Sequence, residues 1–184
     1  FSYYGCDDLP REPFIPGPHS WSEQRLLQSE LQCARFTVRF FLVMLAGGAQ
    51  KVFIHSGASG TPHSPNLECA LMVHGGAPTK VLPALATLAH LAGAQPRPAG
   101  LRELGRSGWA AAFETTDHSL LALWSQDESG PAVQLPAGLT VLDIVGRPIQ
   151  SDTPVSLSGS PVYVVAPKGR APRLLEGLTE ASKN

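Results

Sequence analysis

The sequence predicts an α/β half followed by an all-β half, and three observations carry that reading. Apolar residues recur at helical spacing twice in the first hundred positions, with a short β-branched run between them. Past that point the helical period gives way to short apolar runs separated by turn residues. The chain also holds 18 glycines and 17 prolines among its 184 residues, which favours many turns over a helical bundle. With 43% apolar and 16% charged residues it is globular in composition rather than disordered.

Phe1 to Tyr4 is a short aromatic stretch, and the segment from Gly5 to Ser22 is a loop, because Pro10, Pro13, Pro16 and Pro18 forbid a helix there. Ser20 followed by Glu23 fits a capping box, so a helix is expected from there to about Ala46. Leu27, Leu31, Ala34, Val38, Phe41 and Leu45 form its buried stripe, and Gly47-Gly48 ends it. Lys51-Val-Phe-Ile-His55 reads as a buried strand. A long loop from Ser56 to Pro78 precedes a second helix after Thr79. That helix tolerates Pro83 near its first turn, packs through Val81, Leu85, Leu88 and Leu91 or Ala92, and stops at Gly93. Helix, strand and helix in this order suggest a parallel α/β layer.

The stretch Gly93 to Gly105, with Pro96 and Pro98, reads as a linker. Strands are then expected at Trp109–Thr115, Ser119–Ser125, Ala132–Leu135, Leu139–Ile144, Val155–Leu157 and Val162–Val165. Asp117-His118 and Gly146-Arg-Pro148 mark turns between them. These strands predict a small antiparallel β-sandwich with a core of Trp109, Phe113, Leu121, Leu123, Val141, Ile144 and Val164. The expected domains are residues 1–100, 101–166 and a loose or short helical tail, 167–184.

Charge narrows the partners. Fourteen Lys and Arg against fifteen Asp and Glu give a net charge of −1, which offers no electrostatic case for nucleic acid or an anionic membrane. No apolar run approaches the ~20 residues needed to span a bilayer. Cys6, Cys33 and Cys69 are odd in number and widely spaced, so they make no disulfide framework and leave the compartment open. A start at Phe1, without a charged-then-apolar leader, points to a piece of something longer.

The order of parts resembles the C-terminal portion of (β/α)8-barrel glycoside hydrolases of the clan with catalytic glutamates on barrel strands four and seven. Phe1-Ser-Tyr-Tyr-Gly5 resembles the segment after the nucleophile strand, and Ser22 to Gly48 the seventh helix. Lys51 to His55 resembles the eighth strand, and Pro78 to Gly93 the eighth helix. Leu123-Trp-Ser125, Val141-Leu-Asp-Ile-Val-Gly-Arg-Pro-Ile149 and Leu157-Ser-Gly-Ser-Pro-Val-Tyr-Val-Val165 resemble strands of the sandwich that trails such barrels. The resemblance implies a partial barrel, its last two βα units, followed by the sandwich. It implies retaining hydrolysis of O-glycosidic bonds with no cofactor, a carbohydrate substrate, and a missing N-terminal barrel portion as structural partner. Both catalytic carboxylates of the family fall before Phe1, so no catalytic residue is assigned in this chain.

The same resemblance places Tyr3, Tyr4 and His55 at strand ends that open toward a sugar pocket, where aromatics stack on sugar faces and histidine bonds hydroxyls. Other constellations are poorer. Asp7 and Asp8 are neighbours in a loop and cannot flank a glycosidic bond from both sides. His55, His63, Cys69 and His74 stand eight, six and five residues apart, which matches no usual zinc pairing. His55-Ser-Gly-Ala-Ser-Gly60 is not a nucleophile elbow, and Cys6 has no identified base. Trp109, Trp124 and Tyr163 could form a sugar-stacking platform or a sandwich core. The class competing with a hydrolase is therefore a non-catalytic carbohydrate-binding or structural β-module.

Overall fold

The computed structural model describes residues 29–54, 71–72, 76–149 and 154–181. Among them are three helices and eight strands in two antiparallel sheets, so the fold mixes helices with antiparallel sheet and is richer in sheet. The chain divides into two compact units, Phe1–Val38 with Phe53–Leu85, and Arg39–Val52 with Ala86–Asn184.

In the first unit, helix α1 (Glu30–Ala46, which continues into the second unit) begins at Ser29. The Ser29 hydroxyl accepts from the Gln32 N–H at 3.2 Å, satisfying one of the free donors of the first turn. The Ser20–Glu23 box lies outside the described residues. The buried stripe of α1 runs through Ala34, Val38 and Leu42, flanked by Cys33 and Thr37, while Leu31, Phe41 and Leu45 are only half-buried. It is thus rotated slightly from the expected face. Helix α2 (Val81–Ala92) starts where Thr79 predicts, with the Leu82 N–H bonded to the Thr79 carbonyl at 3.1 Å. The Lys80 N–H donates to Glu30 Oε2 at 3.1 Å, which ties the start of one helix to the start of the other.

The expected strand at Lys51–His55 does not form over its described part. Residues 51–54 belong to no strand, and Phe53 is 82% exposed. A parallel strand takes its hydrogen bonds from neighbours on either side, and the described residues supply none.

The second unit is built on a five-stranded antiparallel sheet. Its strands are β1 (Arg97–Leu104), β2 (Gly108–Glu114), β3 (His118–Ser125), β5 (Thr140–Leu142) and β7 (Val162–Pro167), in the order β1-β2-β3-β7-β5. A smaller sheet has the order β6-β4-β8, from β4 (Ala132–Gln134), β6 (Val155–Ser156) and β8 (Thr179–Glu180). One face of the large sheet, carrying Ala110, Ala112, Leu121, Leu123, Val141 and Val164, joins a single core with Val133 and Val155 of the small sheet. Helix α3 (Ala171–Glu176) adds Ala171, Leu174 and Leu175 to it, and Leu178 follows. This is a sandwich-like packing of sheet and helix on sheet.

Cross-strand partners share a face. Register therefore puts Phe113 with Leu120, Ala111 with Ala122 and Tyr163, and Trp109 with Trp124 on the opposite face. That face is buried too, with Phe113, Leu120, Ala122 and Tyr163 each at most 1% exposed. Burial on both faces explains why Ser119-Leu-Leu-Ala-Leu-Trp124 is continuously apolar after its serine rather than alternating. Two close approaches bring helical segments of this unit to the end of β3 and to the turn after β5. Arg39 Nη1 donates to the Ser125 carbonyl at 2.8 Å, and a Cβ added at Gly146 would lie 3.3 Å from the Thr87 side chain.

Two further expectations change. The 93–105 stretch is not a linker throughout, because β1 pairs with β2 along its length. Its Pro98 and Gly100 bracket a register shift, and Gly100 sits at φ 151°, where a Cβ would come within 2.7 Å of Leu175 Cδ2. Proline and a bulge are compatible with β1 because it is an edge strand. The tail after Pro167 does contain a short helix, but its buried leucines and the pairing of β8 with β4 make it part of the core. The expected core residues Phe113, Leu121, Leu123, Val141, Ile144 and Val164 are buried, and Trp109 is half-buried.

Candidate functional site

Tyr3, Tyr4 and His55, the residues expected to line a sugar pocket, all lie outside the described residues. So do Cys6, Asp7, Asp8, His63, Cys69 and His74. Among the described residues no group of three or more His, Cys, Asp or Glu could hold a metal ion. No helix there is long and apolar enough to cross a membrane.

The described residues contain two dense polar constellations, the first at the end of the large sheet where β2 turns into β3. Glu114 closes β2 and Ser119 lies directly opposite on β3. The Ser119 hydroxyl is 2.9 Å from Glu114 Oε1 and 3.0 Å from Oε2, and also 3.1 Å from the Pro167 carbonyl. Its single proton serves one of these at a time, while its lone pair accepts from the Arg170 N–H at 2.8 Å. The carboxylate takes two more backbone donors, Ala171 N–H on Oε1 at 2.8 Å and Gly169 N–H on Oε2 at 3.0 Å. Burial pushes the Glu114 carboxyl up. The bonds from Ala171, Gly169 and Ser119, together with the Arg97 charge, outweigh it and hold the group below the ordinary 4.5.

The second constellation is the turn after β5. Asp143 Oδ1 accepts from the Val145 and Arg147 N–H groups at 3.0 and 2.9 Å, and Oδ2 accepts from Arg147 Nε at 2.7 Å. Burial again raises this carboxyl, and the hydrogen bonds and charge of Arg147 with the Val145 N–H bring it below the ordinary 3.8.

What these groups can do chemically follows from their occupancy. A general base needs a free lone pair and a pKa near the working pH. Glu114 and Asp143 are ionised, and their oxygens already accept bonds from fixed donors, so they hold backbone in place. Sequence reasoning missed both roles. The one signal for Glu114 was a pair of polar residues facing each other across the Asp117 turn in an otherwise apolar hairpin; its partners at positions 169 and 171 are far off in the chain.

The aromatic residues divide as well. Trp124 is 3% and Tyr163 0% exposed, so with Trp109 they make no accessible stacking platform. The Tyr163 hydroxyl is buried without a hydrogen-bond partner among the described residues, and burial pushes its pKa up. Comparison of the chain with known protein families, curated proteins and solved structures finds no match in any of the three.

Proposed function

We propose that this chain is the C-terminal portion of a glycoside hydrolase-like protein of the two-glutamate retaining clan. It contributes sugar-pocket walls and a bracing β-sandwich to hydrolysis of O-glycosidic bonds. In this reading the first half supplies the last two βα units of a (β/α)8 barrel, with Tyr3, Tyr4 and His55 against the sugar. The two carboxylates belong to the upstream barrel strands, ~5–5.5 Å apart. One attacks the anomeric carbon while the other protonates the leaving oxygen.

The observation that supports a bracing role is the tether from α1 to the sheet. Arg39, on the helix that resembles the seventh barrel helix, donates to the carbonyl of Ser125 in the Leu123-Trp-Ser125 strand, 86 residues away. This bond, from α1 to the end of β3 inside the second unit, is the observation in favour of the bracing reading. The alternative, a β-module that acts without a barrel, keeps its structural form because the sheet and α3 share one closed core. Its sugar-stacking form would have to use aromatics other than Trp124 and Tyr163, which are buried.

The test is the coding sequence upstream of Phe1 together with the activity of what it encodes. The proposal expects a glutamate directly before Phe1 and a second one about half a barrel earlier. It also expects aryl-glycosidase turnover in the longer protein, with only background from residues 1–184. A start codon at that point, or turnover by the isolated chain, contradicts it.

A further inference from the structure

We infer that Glu114 is an acid-released latch holding the C-terminal strap, residues 168–181, closed over the core of the sheet unit. The strap leaves β7 at residues 168–170 and carries α3 and β8. Arg170, the N-cap residue of α3, makes no side-chain cap bond. A carboxylate from β2 does that work instead, taking the Gly169 and Ala171 N–H groups on separate oxygens while Ser119 braces it. Beyond the latch, the strap is also tied by Lys168 Nζ on the Thr116 carbonyl and by the Ala181 N–H on the Ala132 carbonyl, at 2.7 and 2.9 Å. Arg102 Nη1 donates to the Leu175 and Glu176 carbonyls at 2.9 and 3.1 Å, and β8 meets β4 through two residue pairs. Under the strap, Ala171, Leu174, Leu175 and Leu178 pack on the sheet. Opening would therefore uncover a continuous apolar face.

Protonating Glu114 removes the charge that strengthens its bonds from the Gly169 and Ala171 N–H groups, and turns its new O–H toward Ser119 Oγ, whose own proton then serves the Pro167 carbonyl. The charged and titratable groups around it come from each neighbouring element. Arg97 lies opposite on β1, and His118 and Asp117 lie at the start of β3 and its turn. Arg170 and Lys168 come from the strap, with Lys168 Nζ on the Thr116 carbonyl at 2.7 Å. The folded carboxyl is held below the ordinary 4.5. The latch is accordingly fully closed above that value and is lost as pH falls through the folded one. The inference rests on these contacts and not on the glycosidase reading.

Hydrogen exchange by mass spectrometry, corrected for intrinsic rates between pH 2.5 and 7, tests it. In the wild-type chain, protection of strap amides should be flat above pH 4.5 and decline toward tenfold per pH unit below it, the slope of a single linked proton. Amides of β2 and β3 should keep their protection over the same range. Glu114→Gln should lower strap protection at neutral pH by about tenfold and abolish the acid slope, which separates the latch from the strap's own Glu176 and Glu180. Ser119→Ala should lower protection and keep the slope, and it decides the matter if Glu114→Gln does not fold. A wild-type slope in Glu114→Gln, unchanged protection in Ser119→Ala, or simultaneous loss of protection in strap and sheet overturns the inference.

Discussion

Residues 52–54 and 162–165 are short runs of the same chemistry, β-branched residues around one aromatic, and they take opposite courses. In Val162-Tyr-Val-Val165 the chain pairs with β3 on one side and β5 on the other, and Tyr163 and Val164 are fully buried. In Lys51-Val-Phe-Ile54 the chain enters no strand and Phe53 stands in solvent. Intrinsic preference is worth at most ~1 kcal/mol per residue and changes with context, so it cannot explain the contrast. Neighbours can. Residues 162–165 lie between β3 and β5, both supplied by this chain, whereas the partner strands that residues 51–54 would need are not among the described residues. Under the proposed function, those partners for residues 51–54 are the upstream barrel strands.

The largest effect should come from substituting the two regions in parallel. Leu121→Ala, in the core of β3, should cost ~2–5 kcal/mol, whereas Phe53→Ala should stay within ~0.5 kcal/mol. Urea denaturation reads both, and comparable losses would erase the distinction. A smaller effect should follow at Gly100, where the bulge brings the backbone against Leu175. Gly100→Ala meets both a positive φ and a 2.7 Å approach, and should cost ~1–3 kcal/mol in the same assay.

These two positions also show what the sequence could and could not convey. Strands β2 to β7 were legible because each apolar run is bounded by turn residues, although pairs such as β3 with β7 are distant in the chain; β8, in the tail, was not. Strand β1 was not, since Pro98, Gly100 and exposed charges have the composition of a linker; only an edge position and a bulge reconcile them with a strand. The 51–55 run misleads in the opposite direction, because a pattern carries no information about whether a partner is present. The Glu114 constellation depends on contacts across more than fifty residues, which no local spacing reports. The sugar-pocket residues Tyr3, Tyr4 and His55 came from a family resemblance and lie outside the described residues.

Finer adjustments to the well-paired region should be smaller still. Tyr163→Phe removes a buried hydroxyl that has no partner among the described residues, so it should stabilise the chain by ~1 kcal/mol, seen as a higher urea midpoint. A loss of stability would mean that the hydroxyl is bonded. Smallest of all is the Asp143 turn, where Arg147 is exposed and its side-chain bond is screened. Asp143→Ala should cost ~0.5 kcal/mol at neutral pH. Because this carboxyl is held below 3.8, its contribution is present above that pH and is lost as pH falls through the folded value. The variant and wild type should therefore converge in acid.

The contrast between paired and unpaired runs is tested most directly by native-state hydrogen exchange on the intact chain, residue by residue. The account predicts that the central β7 amides exchange only with global unfolding, while those of residues 52–54 exchange at nearly the intrinsic rate. Slow exchange at residues 52–54, tracking that of β7, would show that the run already has its partners within this chain and would contradict the account.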